Sequence, residues 1–190
     1  MKELEFLQGK ASDVAPRLLG CILERTLNGQ TTRVRIVETE AYDQTDAASH
    51  SFNGQTPRTD IMFGPAGHLY VYFTYGMHYC CNIVTGQEGE GAAVLIRAVE
   101  PIEGEEILEQ YRHSSGTELT NGPAKLCQAL HINKAMNGHD LTKKGLRLIV
   151  EPPVASSRII TTTRIGIKKD AHRPWRFYIK GNPYVSRTSE

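Results

Sequence analysis

Hydrophobic and polar positions change rhythm several times along this chain. Residues 11–27 carry Leu18, Leu19, Ile22 and Leu23 at helical spacing, with Asp13 and Pro16 near the start. That pattern predicts a helix. Gly29 leads into residues 31–40, which are rich in Thr, Val and Ile and predict a strand. On such a strand Val34, Ile36, Glu38, Glu40 and Tyr42 would share one face by period two. The apolar pair marks that face as buried, so the acids either emerge into solvent at the strand end or line a cavity.

Residues 43–68 break the rhythm with Asp, Ser, Asn, Gly, Thr and Pro. An irregular segment of that length inside a compact domain is commonly functional or hides short helices. Next comes HLYVYFTYGMHYCCNIV, two β-rich runs meeting at Gly76, which predicts a hairpin. GAAVLIRAVEP predicts a strand closed by Pro101, and Glu103 to Tyr111 a helix. In NGPAKLCQALHI, Asn121 can cap a helix and Pro123 suits its first turn. RLIVEP and RFYIKG predict two more strands, with a mixed stretch over 152–175 between them. Strands and helices do not alternate, so an α+β fold with a mostly antiparallel sheet is expected over a doubly wound one. No repeat or linker interrupts residues 1–190, and one domain is expected.

Composition narrows the chemistry. The four cysteines, Cys21, Cys80, Cys81 and Cys127, form no C-x-x-C pair, and the seven histidines show no ligand spacing. Neither zinc nor an iron–sulfur cluster is expected, and the cysteines read as packed, reduced thiols. The start, MKELEFLQGKA, lacks the apolar stretch of an export signal, and no run approaches the ~20 apolar residues of a membrane helix. An intracellular protein without membrane attachment is therefore expected. Net charge is only +1, but it is unevenly spread. Residues 121–190 hold 13 Lys and Arg against 4 Asp and Glu, a balance of +9, and residues 1–120 hold 9 against 17, a balance of −8. Two readings stay open: a basic face for a polyanion, or two complementary halves packed together.

Two features bear on function. Paired acids such as Glu38 and Glu40 suit acid–base work on a glycosidic bond, although sequence sets no distance between them. At the hairpin tip, Tyr75-Gly76-Met77-His78 puts a bulky ring where there is little core to enter. Such a ring is surface, partner anchor or a wedge between stacked bases.

RIVETEAY, AASHS, QTPR, LYVYFTYGMHYCCNI, VLIRAVEP, NGPAKLCQALHIN and RFYIKGNPYVS occur in this order over nearly the whole chain. Together they resemble the alkyladenine (3-methyladenine) DNA glycosylase family of the mammalian and bacterial type. The resemblance implies a curved antiparallel sheet flanked by helices, with a hairpin that enters the DNA minor groove. It implies a monomeric, monofunctional enzyme without metal or organic cofactor. Such an enzyme flips an alkylated or deaminated purine from duplex DNA and hydrolyses its N-glycosidic bond, with no lyase step. A non-cleaving damaged-DNA binding module is the alternative, and a carbohydrate hydrolase using both acids is a third reading.

By motif, Glu40 resembles the general base and Arg97 the residue that helps hold it and its water. Tyr42, His50 and Tyr72 resemble the walls around the base, and Asn82 the residue that discriminates against a purine 2-amino group. Tyr75 resembles the intercalating tip, with Met77 and His78 beside it. Lys125, at the start of the Asn121 helix, and Arg58 in QTPR are candidate phosphate contacts. Between His50 and Gln55 the chain reads SFNG, one residue shorter than the vertebrate pattern and without its arginine. The vertebrate amino-terminal extension is also missing, which points to a bacterial source and a cytoplasmic, nucleoid-associated role.

Overall fold

A computed structural model describes residues 2–186. Eight strands form one antiparallel sheet: β1 (Ile22–Leu27), β2 (Gln30–Asp43), β3 (Leu69–Thr74), β4 (His78–Val84), β5 (Ala92–Glu103), β6 (Leu146–Ile149), β7 (Ile159–Thr162) and β8 (Arg176–Ile179). Their order is β3-β4-β5-β2-β1-β6, with β8 also paired to β2 and β7 paired to β8. The sheet curls strongly, and three helices accompany it: α1 (Ala11–Leu18), α2 (Glu105–Arg112) and α3 (Pro123–Ala129). The fold is α+β.

Strand β2 is the axis of the sheet. It pairs with β5 along most of its length, with β1 up to Arg35, and with β8 over Glu38–Glu40. Where β1 gives way to β8, the β2–β5 register shifts between Ile36 and Thr39. An extra residue in one strand reverses which side chains face which way. Val34, Ile36 and Ala41 therefore belong to the main core. Thr39 turns the same way and donates to the Ala15 carbonyl at 2.9 Å, one of the carbonyls a helix end leaves without a partner. The expected common face of Val34, Ile36, Glu38, Glu40 and Tyr42 is thus broken in the middle.

The helix expected over 11–27 ends at Leu18. Gly20 turns the chain with φ +89°, and Ile22–Leu27 becomes β1, hydrogen-bonded on both sides to β2 and β6. The turn that closes β1 on β2 is Asn28-Gly29, both with positive φ (51° and 78°), the pair favoured in two-residue hairpins. Sheet pairing overrode an apolar spacing that suits either element. The β5 strand continues two residues past Pro101, which sits opposite Val34 at a register shift, where a missing N–H does little harm. Pro123 opens α3 as expected, but its N-cap is Gly122. The Asn121 side chain instead bridges Glu118 (3.0 Å) and Lys125 (2.7 Å).

The main core lies between the sheet and helices α1 and α3 and includes Leu18, Ile36, Ile83, Ile96 and Leu126. A smaller cluster of Met62, Tyr70, Val84 and Ala93, with Ile61, Phe63 and Tyr72 against it, supports the start of the β3–β4 hairpin. All four cysteines are buried and unpaired with one another by disulfide. Among the described residues no helix is long and apolar enough to cross a membrane.

Both readings of the uneven charge have a physical counterpart. Four cations from beyond residue 120 pair with acids before it: Arg164 with Asp46, Arg176 with Glu38, Arg147 with Glu24 and Lys125 with Glu118. Others, among them Lys134, Lys144, Lys168, Lys169 and Lys180, are exposed.

Candidate active site

Glu38 and Glu40 are both wholly buried, at 0% exposure, so neither lies on a solvated strand end. Burying two carboxylates is tolerable only when donors surround them. Arg97 on β5 serves both, with Nε 3.0 Å from Glu38 Oε1 and Nη1 3.3 Å from Glu40 Oε2. Burial pulls the Arg97 pKa down, but the Glu40 and Glu38 carboxylates outweigh it and raise the net value.

The two acids differ in how many donors hold them. Glu38 accepts four hydrogen bonds among the described residues: from Arg97 Nε, from Arg176 Nε at 2.7 Å, and from the Ser186 amide (2.7 Å) and hydroxyl (2.9 Å). Three of these fall on Oε1 and one, from the Ser186 amide, on Oε2, so Glu38 is tied to β5, to β8 and to the chain after β8. Glu40 accepts from the Tyr42 hydroxyl and the Ile165 amide, each at 2.8 Å, besides its ion pair with Arg97. It keeps capacity for one more donor.

Tyr42 joins this carboxylate to a cavity. Its ring lines a pocket of about 140 Å³ together with Ala48, Ser49, His50, Met62, Tyr70, Tyr72, Asn82 and Ile167. Burial first, then the Glu40 charge, raises the Tyr42 pKa far above the ordinary phenol value. The hydroxyl stays protonated and can donate to Glu40. Burial likewise lifts Tyr72. The His50 ring stands 4.6 Å from that of Tyr72, edge to face, and its Nδ1 is 3.0 Å from the Tyr70 hydroxyl. Burial, then the nearby Arg58 charge, holds the His50 pKa below its usual value, so the ring is neutral at pH 7. Asn82 is anchored by its amide, which donates to the Tyr70 carbonyl at 3.1 Å, and the residue lines the cavity.

Beyond the pocket the hairpin tip is bare. Tyr75 is 85% exposed and Met77 67%. Tyr75 also has φ +52°, followed by Gly76 at +67°. A bulky residue in the left-handed region is strained by of order 1–3 kcal/mol, and an exposed ring gains no burial in return. Phe73, half exposed, packs against Tyr79 with ring centroids 5.0 Å apart and planes tilted by 51°. His78 follows at the start of β4, and its Nδ1 is buried without a hydrogen-bond partner among the described residues.

The structure thus brings Glu40, Arg97, Tyr42, His50, Tyr72 and Asn82 into one neighbourhood, with Arg58 exposed at its edge. Lys125 stands apart. Its ammonium group is held by Glu118 at 2.5 Å and Asn121 at 2.7 Å. Sequence reasoning missed the segment between β7 and β8. Within a few residues it supplies the Ile165 amide to Glu40, Ile167 to the pocket wall, and Arg164, stacked 4.6 Å from the Tyr42 ring. Its only visible signal was the TRIGIKKD stretch in an otherwise unassigned region. A larger basin of about 610 Å³ lies elsewhere, among Arg33, Arg35, Glu100 and Arg158. No aromatic ring lines it, and Arg33 and Arg35 are already paired with carboxylates. The smaller aromatic pocket beside Glu40 is the better candidate.

Comparison with known proteins gives the chain its class: it is a DNA glycosylase. More narrowly, the chain belongs to the methylpurine-DNA glycosylase (MPG) family, whose model matches residues 5–183. It is 53% identical over 176 residues to a protein of Carboxydothermus hydrogenoformans, covering 92% of each chain. It is 47% identical over 186 residues to one of Methanoculleus marisnigri, covering 96% of each. A third relative, from Methanocella arvoryzae, is 47% identical over 189 residues, covering 96% of this chain and 94% of its own. All three carry the name "Putative 3-methyladenine DNA glycosylase".

Proposed function

We propose that the protein removes alkylated or deaminated purines from duplex DNA by hydrolysis, turning the base into the aromatic pocket and leaving an abasic site. The observation that carries this reading is the double role of Tyr42. Its ring lines the cavity while its hydroxyl bonds the carboxylate of Glu40. A purine held against that ring would bring its sugar close to a carboxylate with one acceptor site to spare.

The residues divide the work. Glu40 takes a proton from water as that water attacks C1′. Its negative charge also favours the oxocarbenium-like transition state. Arg97, with Nη1 3.3 Å from Glu40 Oε2, holds the carboxylate in place. Tyr42, His50 and Tyr72 wall the base. Aromatic faces attract a cationic purine such as 3-methyladenine by about 0.5–2 kcal/mol, and that base is already a good leaving group. Neutral bases such as hypoxanthine or ethenoadenine need further help, from a hydrogen bond or protonation at N7. Asn82 disfavours a guanine 2-amino group by crowding it or leaving it unpaired. Tyr75 fills the space left in the base stack, and the strain of its backbone fits a residue kept for contact rather than packing. A damaged or mispaired base is easier to extrude, which adds selectivity.

The direct test is incubation with duplex DNA carrying one hypoxanthine or 3-methyladenine, followed by alkali. Strand breaks at the lesion are expected, with none before alkali treatment. Binding without breaks would leave a damage-binding module instead.

Phosphate contacts are expected from Lys168 and Lys169, exposed immediately after the wall residue Ile167. Neutralising both as Lys168→Gln and Lys169→Gln should weaken binding to all duplexes alike. The dependence of log affinity on log salt should flatten by about 2, since each phosphate contact contributes a slope of about 0.9. An unchanged slope in a salt titration would remove these lysines from the interface.

A further inference from the structure

Arg164 is the deepest side chain of the segment between β7 and β8, and the steps above make no use of it. Its side chain is wholly buried and forked onto the equally buried Asp46, with Nη2 3.0 Å from Oδ1. Nη1 also donates to the Ala41 carbonyl at 2.9 Å. The guanidinium carbon stands 4.6 Å from the centroid of the Tyr42 ring and 5.3 Å from that of Trp175. Tyr42 lines the cavity and Arg164 does not. The guanidinium therefore lies against the Tyr42 ring from outside the cavity.

This placement has an electrostatic consequence. A ring attracts a cation through the negative potential of its faces. A guanidinium against one face lowers that potential, and its own charge opposes a second cation on the other side. Burial keeps water from screening the opposition. Asp46 balances the net charge of the pair, but the guanidinium is the member that stacks on the ring. A neutral purine feels none of this opposition and stacks on Tyr42 as before.

We propose that Arg164 is a specificity-determining positioning residue: stacked behind Tyr42, it reduces the pocket's preference for cationic purines over neutral ones and so broadens the range of bases accepted. The proposal rests on the cavity being the base pocket.

The test compares kcat/KM for release of 3-methyladenine, a cationic base in DNA, and hypoxanthine, a neutral one, from otherwise identical duplexes. The variant is Arg164→Gln with Asp46→Asn, which removes both charges together and keeps two hydrogen-bonding groups of similar shape. The ratio of cationic to neutral release should rise about threefold to tenfold. A residue that merely held the segment in place would lower both values together and leave their ratio alone. A ratio unchanged within about twofold overturns the role of Arg164. Where thermal unfolding shows that this variant does not fold, Arg164→Met with Asp46→Leu supplies an apolar pair, a replacement that buried ion pairs often tolerate, and the same ratio is read. A wild-type protein that releases neither base overturns the pocket assignment as well, an outcome distinct from an unchanged ratio.

Discussion

Glu40→Gln is expected to lower base excision by about a thousandfold or more while the protein stays folded and still binds lesion-bearing duplex. General base catalysis by one positioned group contributes about 10²–10⁴ in rate, and the amide can neither accept the water's proton nor supply negative charge near C1′. Folding should survive for reasons visible around the side chain. Arg97 keeps its ion pair with Glu38, so no buried cation is left alone. The Tyr42 hydroxyl can turn from donor to acceptor to meet the new amide, and the glutamine oxygen can still take the Ile165 amide. Single-turnover excision, thermal unfolding and lesion binding, measured side by side, check the three parts. Excision within tenfold of the parent would remove Glu40 as the base.

Glu38→Ala should do the opposite: it should strike stability before chemistry. Arg97 and Arg176 both donate to Glu38, and Ser186 adds an amide and a hydroxyl. Removing one partner of a buried ion pair typically costs about 3–5 kcal/mol, because the charge left behind is still desolvated. For a chain of this size that corresponds to a fall in Tm of about 6–20 °C. Arg97 would keep Glu40 as a partner, but Arg176 would lose the carboxylate it meets across the β2–β8 pairing. Denaturant unfolding gives the loss directly. A midpoint and slope matching the parent would mean that Glu38 is not the anchor its four donors suggest. Taken as a pair, the two expected results would separate acids two residues apart into one that works on substrate and one that holds the framework.

Much of the fold was legible along the chain. The β3–β4 hairpin, the strand through RIVETEAY and the Pro123 helix all follow from local propensity, turn residues and spacing. The failures have a common cause. The helix expected over 11–27 lost its second half to sheet pairing with β2 and β6, and Asn28-Gly29, a strong local turn signal, was the clue passed over. Period two put Glu38 and Glu40 on the same face as Val34 and Ile36, and the register shift after Ile36 reversed them. That irregularity is set by where β1 ends and β8 begins against β2, which no single strand records.

Residue order by itself determined that a strand ends in two acids and a tyrosine, that a hairpin carries a bare aromatic tip, and that these motifs occur in the order of a known enzyme family. Spacing alone could not rank Glu38 against Glu40, since both are carboxylates on one strand; the family motif singled out Glu40. Tertiary structure gives them different surroundings. Ser186, 148 residues away, and Arg176, 138 away, donate to Glu38, whereas Ile165, 125 away, donates to Glu40. A carboxylate's chemistry depends on which donors surround it, and those donors are brought together by chain folding, not by neighbourhood in sequence.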